Sequence, residues 1–193
     1  MIIAFSAAQG QGKTTLINDI IKDSDFSSNM TLYPTKSART IINNYGGDLQ
    51  KIYEDKTLLC NFQLDILKLH TEIFDYVYHT RYLLVERSFM DILAFSVINL
   101  GRFNDLSRWL DDFQATCHEN QKKIGITVKL GYSLQPKNDG VRPFNIFYNG
   151  AYDAYLARLL NWQSGFTCFN INETRRAERV IEFDNSLLEY HDR

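Results

Sequence analysis

An α/β doubly wound domain on a parallel sheet is the fold class that this sequence predicts, on three observations. Short apolar runs of strand length alternate along the chain with segments of helical period. The stretch between one strand and the next is long enough for a helix, as a right-handed parallel crossover requires. With 193 residues, 45% hydrophobic and 23% charged, the chain has the length and balance to bury a sizeable core. The 21 basic residues nearly cancel the 23 acidic ones, so at a formal charge of −2 no global positive field draws nucleic acid or an anionic membrane.

In chain order, Ile2 to Ser6 is a short buried-strand run, and Leu16, Ile17, Ile20 and Ile21 recur at helical spacing over Lys13 to Lys22. Met30 to Tyr33 is a second strand, closed by Pro34; Ser37 is placed to cap a helix through Ile41 and Ile42 that stops at Gly46 and Gly47. Leu59, Phe62, Ile66, Leu69, Ile73 and Tyr76 keep a three-four spacing and predict one long helix, after which Tyr82 to Val85 turns to strand period. Phe89 to Leu100 is apolar nearly all round, as a buried helix would be, and Leu106 to Cys117 is more amphipathic. Thr127 to Leu134 is a fourth strand, and Gln135 to Pro143 is rich in turn residues and predicts a loop. Phe147, Tyr155, Leu159 and Leu160 then mark a helix, Phe166 to Ile171 a fifth strand, and Glu173 to Tyr190 a last helix with a charged start.

Cys60, Cys117 and Cys168 lie far apart with no C-x-x-C pair, which fits reduced thiols in a cytoplasmic protein better than a disulfide framework or a zinc site. No run approaches the roughly 20 apolar residues that span a bilayer, and Met1 leads directly into structure. Without repeat or linker, residues 1–193 read as a single domain, with a mobile lid at about 135–145.

The first loop carries the strongest chemical signal. Ala7-Ala-Gln-Gly-Gln-Gly-Lys-Thr14 matches G-x-x-x-x-G-K-[ST] at every fixed position but the first, where Ala7 replaces glycine. Gly10 and Gly12 let the backbone N–H groups of Gln9 to Thr15 curl toward an anion with no Cβ in the way, and the following helix adds the positive end of its dipole. Lys13 then reaches the outer phosphates of ATP, and the Thr14 hydroxyl takes one position on Mg²⁺. The plainer alternative is a glycine turn with a capping threonine, which does not require the strand before it and the helix after.

Glu86-Arg87-Ser88 follows the third strand, at the carboxyl edge where a parallel sheet forms its ligand crevice. Glu86 there can hold the magnesium through water, and Arg87 can steady a transferring phosphoryl group or the acceptor; an exposed ion pair is the competing reading. Asp139-Gly-Val-Arg142 reads as a closing loop whose Arg142 neutralises transition-state charge, or as a simple Asn-Asp-Gly turn. Arg175, Arg176 and Arg179 fit a solvated face with Glu173, Glu178 and Glu182 better than a wall for an adenine.

Together these segments resemble the thymidylate kinase and deoxyribonucleoside kinase group of the P-loop proteins, with its nicotinamide-riboside-kinase relatives. Ala7 to Thr14 resembles the Walker A loop, and Glu86-Arg87-Ser88 the Glu-Arg-Ser of deoxyribonucleoside kinases. Phe62-Gln63 is similar to the Phe-Gln whose amide reads the base in those enzymes; Asp139 to Arg142 looks like the lid of the riboside-kinase relatives, and Arg39 like their arginine after the second strand. The resemblance implies a P-loop kinase fold with a five-stranded sheet in the order 2-3-1-4-5, ATP and Mg²⁺ as cofactors, and a nucleotide or nucleoside acceptor.

One departure bears on the acceptor. Nucleoside kinases of the group carry a glutamate just after the second strand as base for the sugar hydroxyl, but Tyr33-Pro-Thr-Lys-Ser-Ala-Arg39 has no acid. A monophosphate acceptor needs cations rather than a base, and Lys36, Arg39 and Arg87 would supply them. The reading therefore leans to a thymidylate-like deoxynucleoside monophosphate, with Gln63 reading the base. For a hydroxyl substrate, Asp91 or Glu86 would be the base. A kinase of hydroxymethylated bases in phage DNA and an ATPase coupling hydrolysis to a partner are the alternatives; the mild acidity disfavours duplex DNA, and Glu-Arg replaces the Asp-Glu expected of such an ATPase. A homodimer is left open.

Overall fold

A computed structural model describes residues 1–34, 38–131, 146–162 and 166–192. Strands β1 (Ile2–Ser6), β2 (Met30–Leu32), β3 (Tyr82–Glu86), β4 (Ile126–Leu130) and β5 (Cys168–Ile171) pair in parallel in the order β2-β3-β1-β4-β5. This is the expected sheet. Because strand side chains alternate, each strand serves two cores. Ile3 and Phe5 of β1, with Tyr82 and Leu84 of β3, pack on α1 (Lys13–Asp23) and on the last helix, α8 (Arg176–His191), through Leu16, Ile20 and Phe183. Ala4, Leu83 and Val85 face the other layer, built from α4 (Lys56–Thr71), α5 (Phe89–Leu100), α6 (Ser107–Gln121) and α7 (Ile146–Trp162).

The long helix expected around residues 59–76 is α4, which starts earlier, at Lys56, and ends at Thr71. Two short helices precede it, α2 (Ala38–Asn44), which is the helix expected through Ile41 and Ile42, and α3 (Leu49–Glu54), which was not expected; a 3₁₀ turn at Glu72–Phe74 follows α4. Aspartates set the breaks: Asp48 accepts from the N–H groups of Gln50 and Lys51 to cap α3, and Asp55 from those of Thr57 and Leu58 to cap α4. Ile41, Ile52, Leu59, Phe62 and Leu100 make a third, smaller core where these helices meet α5. β4 spans Ile126–Leu130, while residues 132–134 of the strand expected over Thr127 to Leu134 lie outside the described residues, and α8 starts at Arg176 rather than Glu173. No helix among the described residues is long and apolar enough to cross a membrane.

The register decides where chemistry can gather. Phe5 of β1 lies beside Glu86 of β3, and the Arg87 N–H donates to the Phe5 carbonyl at 2.8 Å, so both strands end at one level. The loop after β1 and the Glu-Arg pair after β3 therefore leave the sheet side by side.

Candidate active site

Gly10 and Gly12 take left-handed φ values of 75° and 81°, which a side chain would resist, and Gly12 ends the loop as the N-cap of α1. The loop residues Gln9 to Thr15 border a cavity of about 350 Å³ with Ala7 and Ala8. Glu86 and Arg87 line the same cavity, and Phe95 of α5 with Tyr148, Asn149 and Tyr152 of α7 complete it. The Lys13 ammonium donates to the Ala7 carbonyl at 3.4 Å, within the loop itself. Thr14 Oγ1 donates to Glu86 Oε1. One hydroxyl and one carboxylate oxygen thus sit together at the mouth of the phosphate loop, the hard donors that Mg²⁺ accepts when water and phosphate complete its octahedron. No cluster of three or more His, Cys, Asp or Glu able to hold a metal exists among the described residues.

Arg87 is the only non-glycine residue with positive φ, at 77°, among the described residues. That conformation costs a bulky side chain about 1–3 kcal/mol and persists only where neighbours over-determine it. They do so on both sides. His70 of α4 hydrogen-bonds the Arg87 backbone, and Ser88 starts α5 with a reciprocal capping box to Asp91. His70 is buried, with its ring 4.7 Å from that of Phe89, and burial pushes its pKa down to about 4. It is a neutral prop, and its Nε2 has no hydrogen-bond partner among the described residues.

Two expected site residues do not line this cavity. Asp91 is fully buried, and its Oδ2 accepts from Ser6 Oγ at 2.5 Å and from the N–H and Oγ of Ser88, both at 2.8 Å. Tyr152 donates to its Oδ1 at 3.1 Å. A carboxylate so surrounded joins β1, the start of α5 and α7, and does not border the cavity as a substrate ligand or base would. Gln63 is likewise buried, 2% exposed, and its carbonyl oxygen accepts from Ser96 of α5 at 3.1 Å, so it faces neither solvent nor this cavity. The structure places Arg39 in α2 without describing its side chain, whereas Lys36 and the whole Asp139 to Arg142 segment lie outside the described residues.

The wall from α5 and α7 went unread in the sequence. Tyr148, Asn149 and Tyr152 share one face of α7 at helical spacing. Asn149, a buried amide in an otherwise apolar and aromatic stretch, was the available signal. Asn99 donates to the Tyr148 hydroxyl at 2.8 Å and fixes that ring from α5. At the start of α8, Arg175 and Arg176 are exposed, as a solvated face would have them, and Arg175 pairs with Glu178; Arg176 also grips Asp19 of α1 with two nitrogens, and Arg179 reaches the loop after β1.

With this geometry the chain superposes on solved nucleoside kinases. Deoxyadenosine kinase from M. mycoides with bound dATP is 15% identical, with a TM-score of 0.72 over 97% of this chain and 100% of that one. The same enzyme with dCMP and a flexible dCDP as products gives 14%, 0.71, 98% and 100%. The fold is the P-loop kinase fold. NadR in complex with NR shares it at 13% identity and a TM-score of 0.69, over 98% of this chain and 51% of that one. No family model and no curated protein sequence matches the chain. At these identities the likeness is one of fold, and within the P-loop kinase fold the roles of particular residues rest on the cavity itself.

Proposed function

We propose that the protein is an ATP-dependent phosphotransferase that moves the γ-phosphate to a small nucleotide or nucleoside, with a thymidylate-like deoxynucleoside monophosphate as the first choice of acceptor. The observation that carries this is the contact of Thr14 with Glu86 inside the cavity that the loop glycines and Arg87 also border. Backbone N–H groups of Gly10 to Thr15 hold the donor phosphates, and Lys13 neutralises the outer ones. Thr14 and Glu86 would hold Mg²⁺, which when bound offsets charge on the β and γ phosphates. Arg87, fixed in an unusual backbone conformation, aims its cation at the transferring group or at the acceptor phosphate. Phe95, Tyr148 and Asn149 offer a ring face and an amide to a base. Arg39 and Arg142 belong to the proposal by sequence position alone.

A nucleoside acceptor is the second reading, favoured by a deoxyadenosine kinase and a protein complexed with NR standing among the solved structures of this fold. Glu86 is then the only carboxylate among the described residues bordering the cavity that could serve as base. Labelled ATP offered with nucleosides, monophosphates and DNA carrying hydroxymethylated bases separates the readings. Label on a monophosphate supports the first choice, label on a nucleoside the second, and label on DNA alone or on nothing rejects both. The Lys13→Ala variant is the control, in which transfer should vanish while the fold survives.

A further inference from the structure

We infer that Arg179, in the first turn of α8, is a positioning residue that orients the peptide between Gln11 and Gly12; the inference rests on reading the loop as a nucleotide-phosphate site. Arg179 Nη1 donates to the Gln11 carbonyl at 3.2 Å, and its Nε donates to the Glu173 carbonyl at 2.6 Å. The second anchor is itself held, because the Glu182 carboxylate accepts from the N–H groups of Asn172 at 3.0 Å and Glu173 at 3.1 Å. The guanidinium is therefore a rigid bridge from the β5–α8 turn to the loop.

Peptide planarity turns that bridge into a statement about anion binding. In a trans peptide the carbonyl and the following N–H point in opposite directions. Arg179 does not border the cavity, so drawing the Gln11 carbonyl toward it turns the Gly12 N–H the other way, to the side where phosphate would sit. Glycine at position 12 reverses its φ at little cost, so without an outside tether this peptide would flip between two orientations and offer the anion one donor fewer. The same glycine permits the approach: a Cβ there would lie 3.2 Å from Arg179 Nη1.

The test is ATP affinity in the presence of Mg²⁺ and absence of acceptor, measured calorimetrically on the full chain. Arg179→Met should weaken binding roughly tenfold or more, the worth of one hydrogen bond to a charged group, while the acceptor Michaelis constant stays within about twofold. Arg179→Lys, which keeps the charge but not the planar two-point fork, should lose as much. Affinity unchanged in Arg179→Met, or restored by lysine, would overturn the proposal, since charge or nothing would then be the contribution. If the methionine variant does not fold, the lysine variant alone decides. A wild-type protein that binds no ATP removes the phosphate-site reading and this one with it; wild-type binding with both variants unchanged removes only this one.

Discussion

The cavity's chemistry depends on single side chains whose neighbours set their state. Glu86 accepts from Thr14, and if the pair orders a hydrated Mg²⁺, Glu86→Gln keeps the shape and removes the charge. The Mg²⁺ concentration for half-maximal rate should then rise about tenfold, and an unchanged magnesium titration would make Glu86 structural. His70 supplies a test of the strained backbone behind Arg87. Its pKa of about 4 in the folded protein lies below the ordinary 6.5, so on acidification the unfolded chain takes the proton first. The stability it contributes is complete above pH 6.5 and declines as the pH falls toward 4. Between pH 7 and pH 5 the wild type should lose about 2 kcal/mol that a His70→Gln variant keeps, as urea denaturation at the two pH values would show. Parallel losses in both proteins would mean that His70 is not the titrating group.

Among the elements, α7 is the one whose attachment matters most, because it brings Tyr148, Asn149 and Tyr152 to the cavity. Two neighbouring residues secure it. Tyr152 donates to Asp91, and Asp153 takes Lys129 of β4 at 3.1 Å, both pairs being largely buried. Tyr152→Phe removes one hydroxyl and should cost about 1 kcal/mol, whereas Asp91→Ala leaves Ser6, Ser88 and Tyr152 without their acceptor and should cost about 3 kcal/mol or more. Asp91→Asn separates structure from chemistry: it keeps an acceptor and most of the shape, so the pH profile of kcat should not move, and a rate collapse of a hundredfold or more in a folded protein would restore Asp91 as a base. The elements also mark what was legible in the chain. The strands, the first loop and the Glu-Arg pair were readable because a two-residue or three-four period and a near-complete motif are local properties. The unexpected α3 and the early start of α4 were signalled by Asp48 and Asp55, capping residues that stand ahead of the apolar period beginning at Leu59. The setting of Asp91 and Gln63 was not legible for another reason: polarity suggests a ligand, while burial in a hydrogen-bonded network is a tertiary fact that no spacing carries.

For the whole molecule, the sheet order sets the division of labour. β1 and α1 carry the loop that would take the donor, β3 delivers Glu86 and Arg87 to its side, and α5 with α7 walls the rest, so the donor and acceptor parts of the proposed site would come from different stretches of chain. A site divided in this way should turn over fully only when both parts are filled, because an acceptor displaces water from the path of the γ-phosphate and supplies an oriented nucleophile. ATP hydrolysis alone should therefore be slow, and the correct small acceptor should raise ATP consumption about a hundredfold or more, with label passing to the acceptor. An ATPase that works on a macromolecular partner would show turnover indifferent to every small acceptor. The same division predicts a kinetic split at Arg87. If it holds an acceptor phosphate, Arg87→Met should raise the acceptor Michaelis constant roughly ten- to a hundredfold, as loss of a charge-assisted hydrogen bond of about 1.5–3 kcal/mol requires, and leave ATP affinity nearly unchanged. If instead it acts only on the transferring group, kcat should fall while that constant stays put. The first pattern supports a monophosphate acceptor and the second a hydroxyl, so one variant measured against two substrates tests the inference drawn from the missing acid after β2.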